Sequence, residues 1–295
     1  MYSAIACYRF DKRKLLDFSG EQFTMKTRGK KITAVLSGFT LLTIVCALSA
    51  KEISEKVSIS DRFHHETSMS WQGVIGDMFR SKPKKPAQYK KYDGAKKIKL
   101  PKVLFGGMKL EDAIAKRRSV RNYSNDPLSI PELSQLLFAG QGITGKAYNH
   151  SLRTAPSAGA LYPFEIYVVV NNVQKLGRGL YHYSVLDHSL ELVKQGDFRS
   201  EITKAGLDQD MLGKAPVTFV LSAVFDRVRC KYGQRGMRYV YIEAGHISQN
   251  ISLQAVSLGL GSVPVGAFFD DKVNRLIEVD GVNEAAVYIQ AVGKL

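Results

Sequence analysis

Cysteine is scarce in this chain: three residues in 295, Cys7, Cys46 and Cys230, lie far apart and form no C-x-x-C pair. That excludes a disulfide framework and a cysteine-ligated zinc site. Cys230, the only cysteine in the C-terminal two thirds, is expected to be a buried, inert thiol. Basic surface is also missing from that part. Up to Lys109 the chain holds 22 Lys and Arg against 9 Asp and Glu, whereas beyond it the count is 20 against 18. A nucleic-acid-binding domain carries its cations on the folded part, so nucleic acid is not an expected partner. A dinucleotide fingerprint is absent too. Gly259, Gly261 and Gly266 are spaced G-x-G-x-x-x-x-G, and the segment follows a helix and precedes a strand, the reverse of a pyrophosphate loop. Glu243 and His246 share a helix face, but no second helix supplies a matching pair, so no metal is expected and His246 reads as a buried histidine.

One long hydrophobic run is present. Ile32 to Ala50, ITAVLSGFTLLTIVCALSA, has no charge; Lys26, Arg28, Lys30 and Lys31 precede it, and Lys51 and Glu52 follow. A basic stretch, an apolar stretch and the small residues Ser49 and Ala50 give residues 25–50 the pattern of a secretory signal. At about 1.5 Å per residue the run would also just cross a hydrocarbon core as an uncleaved anchor. Leu48 and Ala50 do not make a clean cleavage site, and both readings stand. Met25, directly before the cations, is the expected start, which makes 1–24 an upstream extension. The chain is therefore expected to be exported or tethered through residues 32–50, with no other membrane contact. Residues 51–105, Lys-rich and interrupted by Pro83, Pro86 and Pro101, read as a basic polar linker; residues 106–295 read as the folded domain.

Within that domain, Leu110 and Ile114 have helical spacing, with Glu111 and Asp112 in the first turn where the helix dipole favours them. Ser129 caps a second helix that carries Leu133, Leu136 and Leu137 on one face and ends at Gly140. FEIYVVV (164–170) and VTFVLSAVF (217–225) are continuous apolar runs and predict buried strands. Residues 180–183 and 190–193 flank a polar turn and predict a hairpin. A long helix is expected over 239–258, stopped by Gly259 and Gly261, then strands over 262–268 and 286–292 with a short helix over 271–277 between them. Intermixed helices and strands with a central hairpin imply an α+β fold, its helices packed around a mostly antiparallel sheet.

Four segments could carry chemistry. Arg117, Arg118, Ser119 and Arg121 place three guanidinium groups and a hydroxyl within five residues, suited to the oxygens of a phosphate; cations at a helix C-terminus are also favoured without any ligand. Arg153 to Pro163, RTAPSAGALYP, is small enough for backbone amides to approach a flat ligand, or is simply a tight loop feeding a strand. Val265, Gly266 and Ala267 lie in the segment Gly259 to Phe268, most of which a helix stop and strand entry explain. Lys231 and Tyr232 sit in a loop before the long helix and could donate or accept a proton.

The order RRSVRNY, LLFAGQGITG, RTAPSAGALYPFEIYVVV, GLYHY, KYGQRGMRY, EAGHISQN and GLGSVPVGAF, spanning about Tyr89 to Leu295, resembles the SagB-type dehydrogenase branch of the nitroreductase superfamily. The resemblance implies an intertwined homodimer with two FMN at its interface. It assigns Arg117, Arg118, Ser119 and Arg121 to the flavin phosphate and ribityl chain, with Lys294 as a further phosphate contact. Pro156, Ser157, Ala158, Gly159, Ala160 and Leu161 would line the isoalloxazine from the partner subunit, and Val265, Gly266 and Ala267 would pass near the ring. Lys231 and Tyr232 match a pair implicated in azoline oxidation. The resemblance thus implies an FMN-dependent oxidoreductase acting on a small organic or peptide substrate. A reductase fed by NAD(P)H, acting on nitro compounds or quinones, and a non-catalytic flavin-binding redox sensor are the alternatives.

Overall fold

The computed structural model describes residues 23–27, 30–34, 58–147 and 150–295, which divide into two units, Met1–Ser68 and Met69–Leu295. In the first unit strands β1 (Phe23–Thr27) and β2 (Lys30–Ala34) form an antiparallel hairpin, and Ser58 caps helix α1 (Ile59–Glu66), accepting from the amide of Asp61. Of the apolar run Ile32–Ala50 only the first three residues, in β2, are described; the signal or anchor beyond Ala34 and the extension before Phe23 fall outside the described residues. Among the described residues no helix is long and apolar enough to cross a membrane.

The second unit is built on a seven-stranded sheet. Its strands are β3 (Lys97–Lys99), β6 (Phe164–Val170), β7 (Gly179–Ser184), β8 (Ser189–Gln195), β9 (Val217–Val224), β10 (Leu260–Val265) and β11 (Glu284–Lys294), ordered β10-β11-β9-β6-β7-β8-β3. Every neighbouring pair is antiparallel, as the α+β reading requires. Strands β4 (Ile143–Ala147) and β5 (His150–Arg153) form a separate hairpin that the sequence reading does not contain.

Every residue of FEIYVVV is buried, Glu165 included, because β6 lies in the middle of the sheet, where both faces are covered. Alternate residues face opposite layers. Ile166, Val168 and Val170 join Leu133, Leu136 and Leu137 of helix α4 (Ile130–Gln141) and Ile247, Ile251 and Ala255 of helix α8 (Gly236–Ser257). Tyr167 and Val169 join a second core with Ile202 of helix α5 (Arg199–Ala205), Leu212 of α6 (Met211–Lys214) and Val273 of α9 (Asp270–Leu276). Helix α4 starts at a full capping box between Ser129 and Glu132.

Several boundaries move. Helix α8 begins at Gly236 and is ended by Gly259 alone (φ +70°); Gly261 lies inside β10, where its bare backbone is approached by Val120 and Leu295. Leu110 and Ile114 lie on helix α3 (Leu110–Lys116), as their spacing predicts; both are exposed, and Ala113 is the residue of α3 that is buried. The stretch read as linker holds, beyond α1, helix α2 (Trp71–Phe79) and β3, which completes the sheet edge against β8. Lys90 there donates to Tyr167 Oη (2.7 Å) and Glu284 Oε2 (2.7 Å), and Tyr92 Oη lies 2.9 Å from Tyr167 Oη. Long Lys and Tyr side chains cover the sheet with their stems while reading as polar in sequence.

Candidate functional site

The small-residue segment before β6 is a strained loop. Gly159, Ala160 and Tyr162 all have left-handed backbones (φ +62°, +52°, +46°), which is unusual for alanine and more so for tyrosine. It is held at both ends. Tyr162 N donates to Ser157 Oγ (2.8 Å), Arg153 N donates to Tyr162 Oη (3.1 Å), and Ala155 and Leu161 are buried in the core. The Arg153 guanidinium, itself buried, stacks on the rings of Tyr162 (4.6 Å) and Tyr89 (5.5 Å) and donates to Gln141 Oε1 (2.8 Å).

Lys231 and Tyr232 close onto this loop. They end helix α7 (Asp226–Tyr232), not a loop as their sequence context suggests. A Cβ at Gly159 would lie 2.8 Å from both Lys231 Nζ and Tyr232 Oη, so any other residue there would displace the tips of the pair as well as strain the left-handed backbone. The Lys231 ammonium sits over the Tyr232 ring (5.3 Å), and that ring packs edge-on against Tyr239, whose hydroxyl accepts from Arg235 Nε (2.9 Å). Cys230, expected to be buried, is half-buried with its thiol on the carbonyl of Arg227.

Behind the loop lies a buried polar cluster that sequence reasoning missed. Glu243, only 2% exposed, faces Ser157, Arg153 and Gln141; burial pushes its carboxyl up to about 7 against the pull of those neighbours. Its Oε1, Gln141 Nε2, Arg153 Nε and Thr154 Oγ1 have no protein partner. The one available signal was Glu243 itself, noticed only beside His246; the structure exposes His246 and buries the glutamate. On the opposite face of the sheet, His182 lies between Glu165 (2.8 Å) and Glu191 (3.0 Å), and Glu165 also pairs with Arg227 (2.6 Å). Burial alone would raise Glu165, but His182 and Arg227 hold its carboxyl down to about 2.

The cationic segment lies elsewhere. Ser119 bridges in parallel to Ser262 of β10, with Val120 N donating to Ser262 O (2.9 Å). Arg118 turns its guanidinium back onto the carbonyls of Ala115 and Arg117, closing α3, whereas Arg117 is half-buried and Arg121 reaches only Ser119 O (3.4 Å). Lys294 pairs with Glu132 of the α4 capping box. Val265 is buried in the core, so only the exposed backbone of Gly266 and Ala267 faces outward at the end of β10.

The expected site residues therefore form two groups. Lys231 and Tyr232 precede α8, and the Arg117–Arg121 segment lies beside β10, which follows α8. Along β11, Glu284 opposite Val224 marks the first end and Val292 opposite Ser262 the second. Rise per residue puts these ends roughly 25–30 Å apart. The first group offers an open small-residue surface with a proton-carrying pair. The second offers the guanidinium groups of Arg117 and Arg121 beside the exposed Ser119. Both suit parts of a flavin mononucleotide, ring and phosphate respectively. Among the described residues no His, Cys, Asp or Glu cluster could hold a metal ion.

Comparison with known proteins adds a lineage to this geometry. The Nitroreductase family model matches residues 114–294. MJ1384 of Methanocaldococcus jannaschii, named as a nitroreductase, is 42% identical over 172 residues, 58% of this chain and 85% of that protein. The microcin B17-processing protein McbC of Escherichia coli is 31% identical over 146 residues, 48% of this chain and 54% of McbC, so the match spans about half of that relative. Among solved structures, a protein described as a nitroreductase from Anabaena variabilis superposes with a TM-score of 0.64 at 29% identity, over 79% of this chain and 46% of that one. The E. coli microcin synthetase McbBCD complex with truncated pro-MccB17 bound superposes with a TM-score of 0.52 over 88% of this chain and 94% of that one; at 21% identity this is a likeness of fold.

Glu243 gives the site a pH signature. Well below pH 4.5 the carboxyl is protonated in both states; from there to about pH 7 the unfolded chain ionises it while the folded chain largely does not, so stability falls as pH rises and then levels. Glu243→Gln is expected to match wild type at about pH 3 and to exceed it by roughly 3 kcal/mol at about pH 8. Urea unfolding at both pH values checks this. A stability difference that does not change with pH would show that Glu243 ionises normally in the fold.

Proposed function

The chain belongs to the nitroreductase family, and from that premise we propose that it is an FMN-dependent oxidoreductase, working as a homodimer on a small organic or peptide substrate. The resemblance to SagB-type dehydrogenases holds, with McbC among the relatives. The observation that carries the reading is the convergence of Lys231 Nζ and Tyr232 Oη on the exposed Gly159. An oxidation that removes hydride from carbon also needs a group to take a proton, and this pair stands beside an exposed small-residue loop. The peptide class of substrate is carried over from McbC, named as a microcin-processing protein.

Arg117, Arg121 and Ser119 hold the flavin phosphate. Arg118 contributes less, because its guanidinium already serves helix carbonyls, and Lys294 reaches the phosphate only by sharing its charge with Glu132. The backbone of residues 156–160 and of Gly266 and Ala267 gives the ring two flat approaches, while Leu161 and Val265 anchor those segments in the core. When bound there, FMN would supply the two-electron chemistry of hydride transfer. Lys231 takes the substrate proton, and Tyr232, braced by Tyr239, orients the substrate. Lys231 is exposed in the single chain, and substrate and partner would cover it in the assembled site.

The spacing of the two groups supports the homodimer. They are farther apart than the phosphate and ring of one FMN, so a complete site takes the cationic group of one copy and the Gly159 group of the other. Exposed Leu110 and Ile114 on α3 and Tyr241 and Ile242 on α8 supply an apolar face for such a contact. Export or anchorage through residues 32–50 rests on the basic-then-apolar pattern; cell fractionation and the N-terminal residue of the purified protein decide between them, and a cytoplasmic product starting at Met25 opposes both.

Replacing both Arg117 and Arg121 by Ala is expected to weaken FMN retention at least about tenfold, from the loss of charge-assisted hydrogen bonds of about 1.5–3 kcal/mol each. Unchanged flavin content, read by absorbance, would remove them from the site. Lys231→Ala is expected to keep its flavin and to slow substrate-driven flavin reduction by about 10²–10⁴-fold. An unaffected rate in anaerobic single-turnover experiments would favour a nicotinamide-fed reductase, which needs no such base.

A further inference from the structure

Arg227 opens helix α7 one turn before Lys231 and is 2% exposed. Its guanidinium reaches three other segments. Nη2 pairs with Glu165 of β6 (2.6 Å), Nη1 points to the carbonyl of Tyr162 at the end of the strained loop (3.5 Å), and Nε donates to the carbonyl of Ala87 (2.8 Å). The chain of contacts continues from Glu165 Oε2 to His182 Nε2 (2.8 Å), from His182 Nδ1 to Glu191 Oε2 (3.0 Å), and from Glu191 Oε1 to Lys97 Nζ (3.1 Å). Glu165, His182, Glu191 and Arg227 are all buried. Both ends of this circuit, Ala87 and Lys97, lie outside residues 114–294, the part matched to the family. The same N-terminal segment touches α7 again where Lys82 Nζ donates to the carbonyl of Lys231 (3.2 Å).

We propose that Arg227 is a positioning residue for the Lys231–Tyr232 pair, and that residues 82–99 are a strap bolting α7 and the Gly159 loop to the sheet through it. Arg227 touches neither the open face of Gly159 nor the proton-carrying groups; it acts by fixing where they stand. Only a guanidinium serves acceptors in three directions from a planar fork; an ammonium at the same position keeps the charge and loses the geometry. The catalytic half of this inference rests on the function proposed above, while the strap itself is a statement about structure.

The test uses the full chain carrying Arg227→Lys, with Glu165→Gln as a second variant that keeps shape and removes the opposing charge. Hydrogen–deuterium exchange is read over residues 226–235 and 156–162 against strands β9 and β11. In Arg227→Lys these two segments are expected to exchange roughly tenfold faster or more, with the strands unchanged, because local opening no longer has to break the circuit. Flavin content is expected to stay, kcat to fall toward the Lys231→Ala value with KM little changed, and the double variant Arg227→Lys/Lys231→Ala to be no slower than the slower single one. Unchanged exchange in both segments, or rate losses that multiply in the double variant, would overturn the proposal. If Lys231→Ala proves silent, the functional reading fails while exchange still decides the strap. If Arg227→Lys does not fold, Glu165→Gln is judged by the same two outcomes.

Discussion

At Gly159 a side chain would collide with two others, Lys231 Nζ and Tyr232 Oη, each 2.8 Å from where its Cβ would stand. That near-collision joins two segments some seventy residues apart, and much of the surrounding construction serves it. The loop is bent through three left-handed residues so that its glycine faces outward. Ser157 and Arg153 clamp its ends through Tyr162, and buried Ala155 and Leu161 fix its depth. On the other side α7 carries the pair, and Tyr239 from the start of α8 supports the Tyr232 ring. Left-handed backbone at non-glycine residues costs free energy of order 1–3 kcal/mol each and persists only where the surroundings over-determine it. Here the hydrogen bonds and core contacts that do so are all identifiable.

The electrostatics has a matching division. One buried carboxyl, Glu243, has too few partners and is pushed up to about 7; another, Glu165, has His182 and Arg227 beside it and is held down to about 2. Their difference is one of neighbours, since both are almost fully buried. Glu165 belongs to the frame, as an ion that must stay charged to hold α7. Glu243 lies behind the open loop, where a carboxyl near neutrality can follow the charge of what binds in front of it. The cations proposed to hold phosphate stand at the other end of the sheet, and this distance makes a second copy part of the functional account.

Much of the architecture was legible because the strongest signals are local. FEIYVVV and VTFVLSAV announce strands covered on both faces, and Ser129 with Glu132 announces a helix start; all appear where expected. The segment RTAPSAGALYP announced an unusual loop through its small residues. What sequence could not supply was pairing across space. Nothing in the spacing of Lys231 links it to Gly159, and Arg227 reads as one more surface cation until Glu165 is seen against it. Leu110 and Ile114 have the period of a buried face, but periodicity says which residues share a side and not what covers them. Lys82 to Lys99 failed for the opposite reason: lysine-rich composition reads as solvated, although Lys90 and Tyr92 lie on the sheet.

The central claim is that each complete site draws its cations from one copy and its Lys–Tyr pair from the other. Subunit complementation measures this directly. Chains carrying Arg117→Ala/Arg121→Ala are mixed with chains carrying Lys231→Ala, dissociated and reassembled, and flavin-dependent turnover is compared with each variant alone. A shared site leaves every mixed dimer with one intact centre, so the mixture should recover about a quarter of wild-type activity, the share set by random pairing in a two-fold symmetric dimer. A mixture no more active than the mean of its two inactive parents would place both groups in sites built from a single chain and contradict the account.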